Sequence, residues 1–181
     1  MNARTCIRGG TLLCVAAALC VGALWASTSY AGDTPVKFSY AGTGHDLGVD
    51  LNGDGLMLGI TFAQTRGSTF GTSMLTITTE FAPDPEVVCE AGYLPLTLFQ
   101  STIIVTTDAG DQVFGFGGGG DACLNLVTGH MYGNAYGVYH GGTGRFATAT
   151  GEYYTEYTVY NVEPASGLRA VQGTVEGSLT R

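Results

Sequence analysis

From residue 36 onward the chain runs in short stretches of Thr, Val, Ile, Tyr and Phe, broken by glycines every eight to twelve residues, and helical periodicity is nearly absent. Such a pattern predicts strands. They fall at 36–43, 56–64, 72–81, 96–107, 111–117, 122–139 (two strands, or one bent at Gly129), 152–160 and 168–180. Within 73–81 the odd positions hold Ser73, Leu75, Ile77, Thr79 and Phe81, while Thr76, Thr78 and Glu80 take the even ones. From 169 the odd positions are Arg169, Val171, Gly173, Val175, Gly177 and Leu179, opposite Gln172, Thr174, Glu176 and Ser178. Tyr153, Tyr157 and Val159 stand likewise against Glu152 and Glu156, which read as a solvated face. A period of two with one wet face predicts antiparallel sheet.

Between the strands, TTDAGDQ has the composition of a hairpin turn, APDPE of a proline-stiffened loop and GGGGD (117–121) of a flexible one. Eight or nine strands suit a sandwich or a closed barrel. Glycines at strand positions 133, 137, 173 and 177 favour the barrel, whose coiled strands need places to bend. The expected fold is all-β.

The chain's start follows a different pattern. MNARTCIR is short and basic, TLLCVAAALCVGALWA is apolar and uncharged, and STSYA puts Ser29 and Ala31 at small-residue positions. That is the three-part build of a secretory signal peptide, residues 1–31, with cleavage near Ala31 and a secreted or periplasmic product. An uncleaved anchor is the alternative, although the run is shorter than the roughly 20 residues a span needs. Residues 32–181 then form one domain. They carry all fifteen acidic residues against Lys37, Arg66, Arg145, Arg169 and Arg181, a net charge near −10. Such a charge repels phosphate backbones and anionic lipid, so neither nucleic acid nor a membrane surface is an expected partner. Cys89 and Cys123 remain as an even pair in an oxidising compartment and are expected to form a disulfide, adding about 4 kcal/mol on the chain-entropy estimate. A zinc site would need closer spacing such as CxxC.

Three stretches carry candidate chemistry. DLNGDG (50–55) places Asp50, Asn52 and Asp54 at the first, third and fifth positions of an EF-hand loop, but the twelfth is Thr61 rather than a bidentate carboxylate. The flanks look like strand and turn, so an EF-hand is excluded. The stretch is expected to be a tight turn, with a looser calcium site that adds Asp46 as the alternative. Apart from that calcium, no cofactor is expected.

In GHMYGNAYGVYH, one strand face carries His130, Tyr132, Asn134, Tyr136, Val138 and His140, and the other Met131, Gly133, Ala135, Gly137 and Tyr139. The bulky face lines either a cavity or a subunit interface. Tyr132, Asn134, Tyr136, His140, Tyr153 and Tyr157 are therefore the candidate ligand-binding residues. The two histidines are too far apart along one strand to share a metal, and no nucleophile motif is present.

GGTGRFATATG (141–151) is a glycine-rich turn feeding a strand; with no helix or lysine following, it is no phosphate cradle. It resembles the signature of the allene oxide cyclase barrel-like group, which includes plant allene oxide cyclases, dirigent proteins and secreted bacterial members. An early aspartate–glycine stretch, a GSTFGTS segment leading to TEF (67–81) and a cysteine pair extend the likeness along the chain. The resemblance implies an eight-stranded antiparallel, lipocalin-like β-barrel with an apolar cavity, often a trimer in the plant relatives. Gly141, Gly142, Gly144 and Arg145 form its motif turn, where Arg145 suits tying the turn down. No catalytic position of the family matches here, so fold transfers and catalysis does not.

The leading expectation is a barrel that binds a small apolar or aromatic molecule. An isomerase or cyclase without a metal, guiding ring closure or coupling by holding a reactive geometry, is the second. A structural or surface-interaction protein with a packed barrel is the third.

Overall fold

The computed structural model describes residues 32–67, 69–163 and 165–181; the expected signal peptide lies outside the described residues. The alternating segments become strands β1 (Thr34–Asp46), β2 (Gly59–Gly67), β3 (Gly71–Pro83), β4 (Leu94–Thr107), β5 (Gln112–Gly119), β6 (Asp121–Leu124), β7 (Met131–Gly142), β8 (Thr150–Glu163) and β9 (Leu168–Thr180). All pairings are antiparallel and, apart from β5 and β6, join sequence neighbours, and β9 closes the barrel against β1, with Thr34 opposite Leu179 and Gly44 opposite Arg169. The result is a closed eight-stranded antiparallel barrel with β6 as one extra short strand. β5 and β6 share the slot between β4 and β7, β5 against 101–106 and β6 against 94–97.

The expected strand at 122–139 is thus two strands, parted by the 125–130 turn. The glycine run 117–121 departs from expectation: it is sheet rather than loop. Gly117–Gly119 end β5, Gly120 turns at φ +139°, and the Tyr136 ring lies across Gly119, where a Cβ would meet its Cζ at 2.2 Å. Those glycines supply close approach instead of flexibility.

The inward stripe is apolar: Val36 and Phe38 on β1, Leu75 on β3, Ile103 and Val105 on β4, Val175 and Leu179 on β9 are all buried. Outward positions hold Lys37, Glu152, Glu156 and Glu176, all exposed. Several inward glycines make room for tyrosines on the next strand. A Cβ on Gly173 would meet the Tyr40 hydroxyl at 2.6 Å, one on Gly133 the Tyr157 hydroxyl at 2.8 Å, and one on Gly137 the Tyr153 hydroxyl at 2.5 Å. Ring over glycine is a known way to cover strand glycines.

The two ends differ. At the base, Phe38, Phe70 and Phe146 meet edge to face with centroids 5.6 and 5.7 Å apart, and Phe146 is fully buried. Phe146 comes from the GGTGRF turn, a single 3-10 turn at Gly144–Phe146. Gly144 sits at φ +53°, where a Cβ would strike Asp111 Oδ1 at 1.8 Å, and a Cβ on Gly142 would strike the Gln112 carbonyl at 2.0 Å. Gly141 also has a left-handed φ of +77°. Arg145 pairs with Asp111 at 3.6 Å and lies 4.8 Å over the Phe146 ring. The motif plugs the barrel.

At the other end the 47–58, 84–93 and 125–130 connections surround an open mouth. The expected disulfide is present: Cys89 and Cys123, Cα atoms 5.7 Å apart, fasten the 84–93 arm to β6.

Candidate ligand site in the barrel mouth

Above the aromatic base, the barrel's interior holds a narrow cavity of about 50 Å³ lined by Tyr40, Ser101, Tyr153, Thr155 and Tyr157 among aliphatic side chains. Toward the open end lies a wider chamber of about 210 Å³, walled by Leu56, Met57, Phe81, Leu96, Leu124 and Met131. Thr79, Phe81 and Met131 line both, so the two are successive levels of one lumen. At the rim of the chamber Arg169 Nη2 donates to Asp46 Oδ2 at 2.6 Å, each side chain about 30% exposed.

The polar side chains lining the narrow level all carry hydroxyls. Tyr40 and Thr155 hydroxyls are 3.3 Å apart, whereas the hydroxyls of Tyr153 and Tyr157 are buried without a partner. Burial pushes the Tyr40 hydroxyl up to about 12, with Thr155 pulling slightly back. Burial also raises Tyr157, helped by the nearby Tyr40 and Asp121, and raises Tyr139, helped by Tyr153. Tyr153 is raised by burial too; the Ser101 hydroxyl pulls the other way from close by, without reaching hydrogen-bond geometry. These tyrosines therefore stay protonated at ordinary pH. They are hydrogen-bond donors and not bases. Tyr153→Phe removes an unpartnered hydroxyl and is expected to leave stability unchanged or raise it by up to about 1 kcal/mol, whereas Tyr40→Phe costs about 0.5–1.5 kcal/mol. Urea unfolding of the two variants checks this, and a clear loss in Tyr153→Phe would contradict it.

The candidate ligand residues divide between two faces. Tyr153 and Tyr157 point into the lumen. Tyr132, Asn134, Tyr136 and His140 do not: even positions of β7 face outward, and Met131, Ala135 and Tyr139 are the buried ones. A lumen already crossed by three tyrosine rings admits only small or aliphatic groups from β7. Tyr132 instead joins an outer aromatic cluster with Tyr93, His130 and Tyr160, in which the Tyr93 hydroxyl lies 3.0 Å from His130 Nδ1. Tyr132 and Asn134 also border a broad, polar depression on the outside, with Tyr154, Glu156 and the 84–88 segment. That depression lacks the enclosure a small ligand requires, so the lumen is the better site.

DLNGDG is the turn its composition predicts, and it roofs the mouth. Gly53 and Gly55 have φ of +78° and +89°, and their amides donate to Asp50 Oδ1 and Oδ2 at 2.7 and 2.8 Å. The Gly55 amide, followed by those of Gly53, Asp54 and Asn52, outweighs desolvation and holds the Asp50 carboxyl below its usual range. Asp46, expected beside these residues in a looser calcium site, is instead engaged by Arg169.

The mouth residues that the sequence did not single out as site candidates are Arg169, Phe81, Met131 and Tyr40, while Asp46 was named for calcium alone. A usable signal existed for Arg169: a lone cation at the end of the otherwise apolar odd face of β9 marks a rim. Comparison with known protein families, with curated proteins and with solved structures gave no match.

Proposed function

We propose that this is an exported binding protein that takes a small, largely apolar molecule into the open end of its barrel. The observation that carries this is the lumen's asymmetry: an aromatic plug at one end, and at the other an apolar chamber with a cation at its rim and unpartnered donors beneath. A pocket that is mostly apolar with a few convergent polar groups, in the mouth of a β-barrel, is a usual form of ligand site. The chamber of about 210 Å³ matches roughly seven waters at liquid density, below the roughly 300–1,000 Å³ of drug-sized sites. Its occupant is a single ring or short chain carrying an acceptor, and a carboxylate suits both Arg169 and the tyrosine hydroxyls.

Calorimetry with benzoate and with uncharged benzyl alcohol tests this. Met131→Trp fills the chamber and is expected to abolish uptake of both. Arg169→Gln is expected to weaken benzoate by about tenfold or more and to spare the alcohol, since a hydrogen bond to a charged group is worth about 1.5–3 kcal/mol. Uptake that survives Met131→Trp unchanged would remove the mouth from consideration.

A second reading is an isomerase or cyclase on the same barrel, as the resemblance to the allene oxide cyclase barrel-like group suggests. The protonated, unpartnered Tyr153 and Tyr157 hydroxyls favour it to this extent: they suit stabilising a developing oxyanion while the walls hold a near-attack geometry. Export and a homo-oligomer belong to the same proposal. Exposed Phe116, Tyr136, Val138 and Tyr154 adjoin on β5, β7 and β8, and would serve as the contact between copies. Outward Lys37, Arg66, Glu152, Glu156 and Glu176 interrupt the outer face with charge, unlike the apolar band of a lipid-facing barrel.

A further inference from the structure

Glu80 is the only charged side chain among the described residues that is fully buried. It lies at the bulge of β3 against β4, on the even face that was expected to be wet. One carboxylate oxygen, Oε1, accepts the Leu51 amide at 2.7 Å, so the group is aimed into the 50–55 loop; the other, Oε2, has no partner. The ion pairs among the described residues join Lys37 to Glu176, Arg145 to Asp111 and Arg169 to Asp46, and none reaches Glu80. A carboxylate buried without a counter-charge is costly.

The loop beside it supplies what such a carboxylate lacks. The DLNGDG stretch has oxygen ligands at the first, third and fifth positions of a calcium loop, but its twelfth position, Thr61, lies on β2 and lines the lumen. We propose that the loop and Glu80 together form a site for a hard divalent cation, calcium by its ligand set. Asp50, Asn52 and Asp54 supply side-chain oxygens and Leu56 its carbonyl, while Glu80 of β3 stands in for the missing twelfth-position carboxylate. Each carboxylate oxygen of Asp50 that accepts an amide keeps a lone pair for the cation.

Among the described residues no three His, Cys, Asp or Glu side chains are already gathered around one point. Binding therefore replaces the 2.9 Å hydrogen bond that Asn52 Nδ2 donates to Asp54 Oδ2, turning both exposed side chains toward Glu80. Because Gly55, Leu56 and Met57 line the mouth, a bound cation fixes the roof of the chamber. The inference is independent of whether the mouth holds a ligand.

The test is a titration of the metal-free protein with calcium chloride alone, followed by calorimetry and thermal unfolding, with magnesium as the control. One equivalent is expected to bind with a Kd of about 10⁻⁵–10⁻³ M, and about 10 mM calcium to raise the Tm by several degrees, with a smaller response to magnesium. Glu80→Gln is expected to lose at least tenfold in calcium affinity while its metal-free Tm equals or exceeds that of the parent, since a purely structural carboxylate would lower it. The double variant Asp50→Asn, Asp54→Asn lies on the exposed loop and should lose the response with its metal-free Tm within a few degrees. No saturable uptake by the parent overturns the proposal, as does equal uptake by parent and Glu80→Gln. Should Glu80→Gln fail to fold, the double variant decides: retained calcium overturns the site and lost calcium supports it.

Discussion

Taken past pH 10, the protein is expected to unfold in one steep step, with tyrosinate absorbance at 295 nm rising together with the loss of near-ultraviolet circular dichroism. The cause is a set of buried tyrosines, three of which cross the lumen. Tyr40, Tyr139, Tyr153 and Tyr157 all have hydroxyls raised above the ordinary value by burial, Tyr40 to about 12. A group whose folded pKa stands above its unfolded one contributes stability that is fully present below the unfolded value, about 10 for tyrosine, and is lost as pH rises toward the folded value. Tyr40, Tyr139 and Tyr157, whose hydroxyls are raised furthest, each remove about 1.4 kcal/mol per pH unit in that window, about 4 kcal/mol per unit together, and Tyr153 acts in the same direction. Against a total stability of about 5–15 kcal/mol, the fold should fail at about pH 11–12. Tyr157→Phe lowers the slope by about a third and moves the midpoint upward. Smooth ionisation of all four rings with the near-ultraviolet signal intact beyond pH 12 would contradict this picture of the interior.

The same tyrosines show what was legible in the sequence. Period-two alternation in β3, β8 and β9 predicted both the sheet and its buried face, because a strand's side-chain direction follows from backbone geometry alone. Glycines 133, 137 and 173 pointed to a barrel, yet their use is to receive rings from the neighbouring strand, which depends on register that a single chain segment does not reveal. For β7 the alternation was visible while its direction was not: Gly133 and Gly137 leave the inward face nearly blank, so the outward Tyr132 and Tyr136 looked equally suited to a cavity. Arg169 and Asp46 are 123 residues apart in sequence, and only barrel closure through β1 and β9 brings them together. Glu80 broke the alternation silently, because a bulge after Glu80 and the fold-back of the 50–55 loop bury a position that its own strand pattern assigns to solvent.

Phe146→Ala is expected to be the most damaging single truncation in the barrel's base, and it distinguishes a structural from a chemical role for GGTGRF. The ring is fully buried, meets Phe70 edge to face at 5.7 Å, and is covered by the guanidinium groups of Arg145 at 4.8 Å and Arg181 at 5.6 Å. Emptying that space in a close-packed closure costs about 3–5 kcal/mol. For a domain of this size the Tm should fall by about 6–20 °C. Arg145→Ala removes a half-exposed pair with Asp111 and a cation over the ring, together worth about 1 kcal/mol, so it should shift the Tm by only a few degrees. Phe146→Leu should recover more than half of the loss, since an apolar filler of similar reach is what the base requires. Because plug and mouth lie at opposite ends of the lumen, Arg145→Ala should leave benzoate uptake unchanged. Differential scanning calorimetry with uptake on the same samples decides the matter. If Phe146→Ala proved nearly neutral, the base would not be held by its plug; if Arg145→Ala abolished uptake at full stability, the motif would belong to the site, and the barrel would have to be entered from its other end.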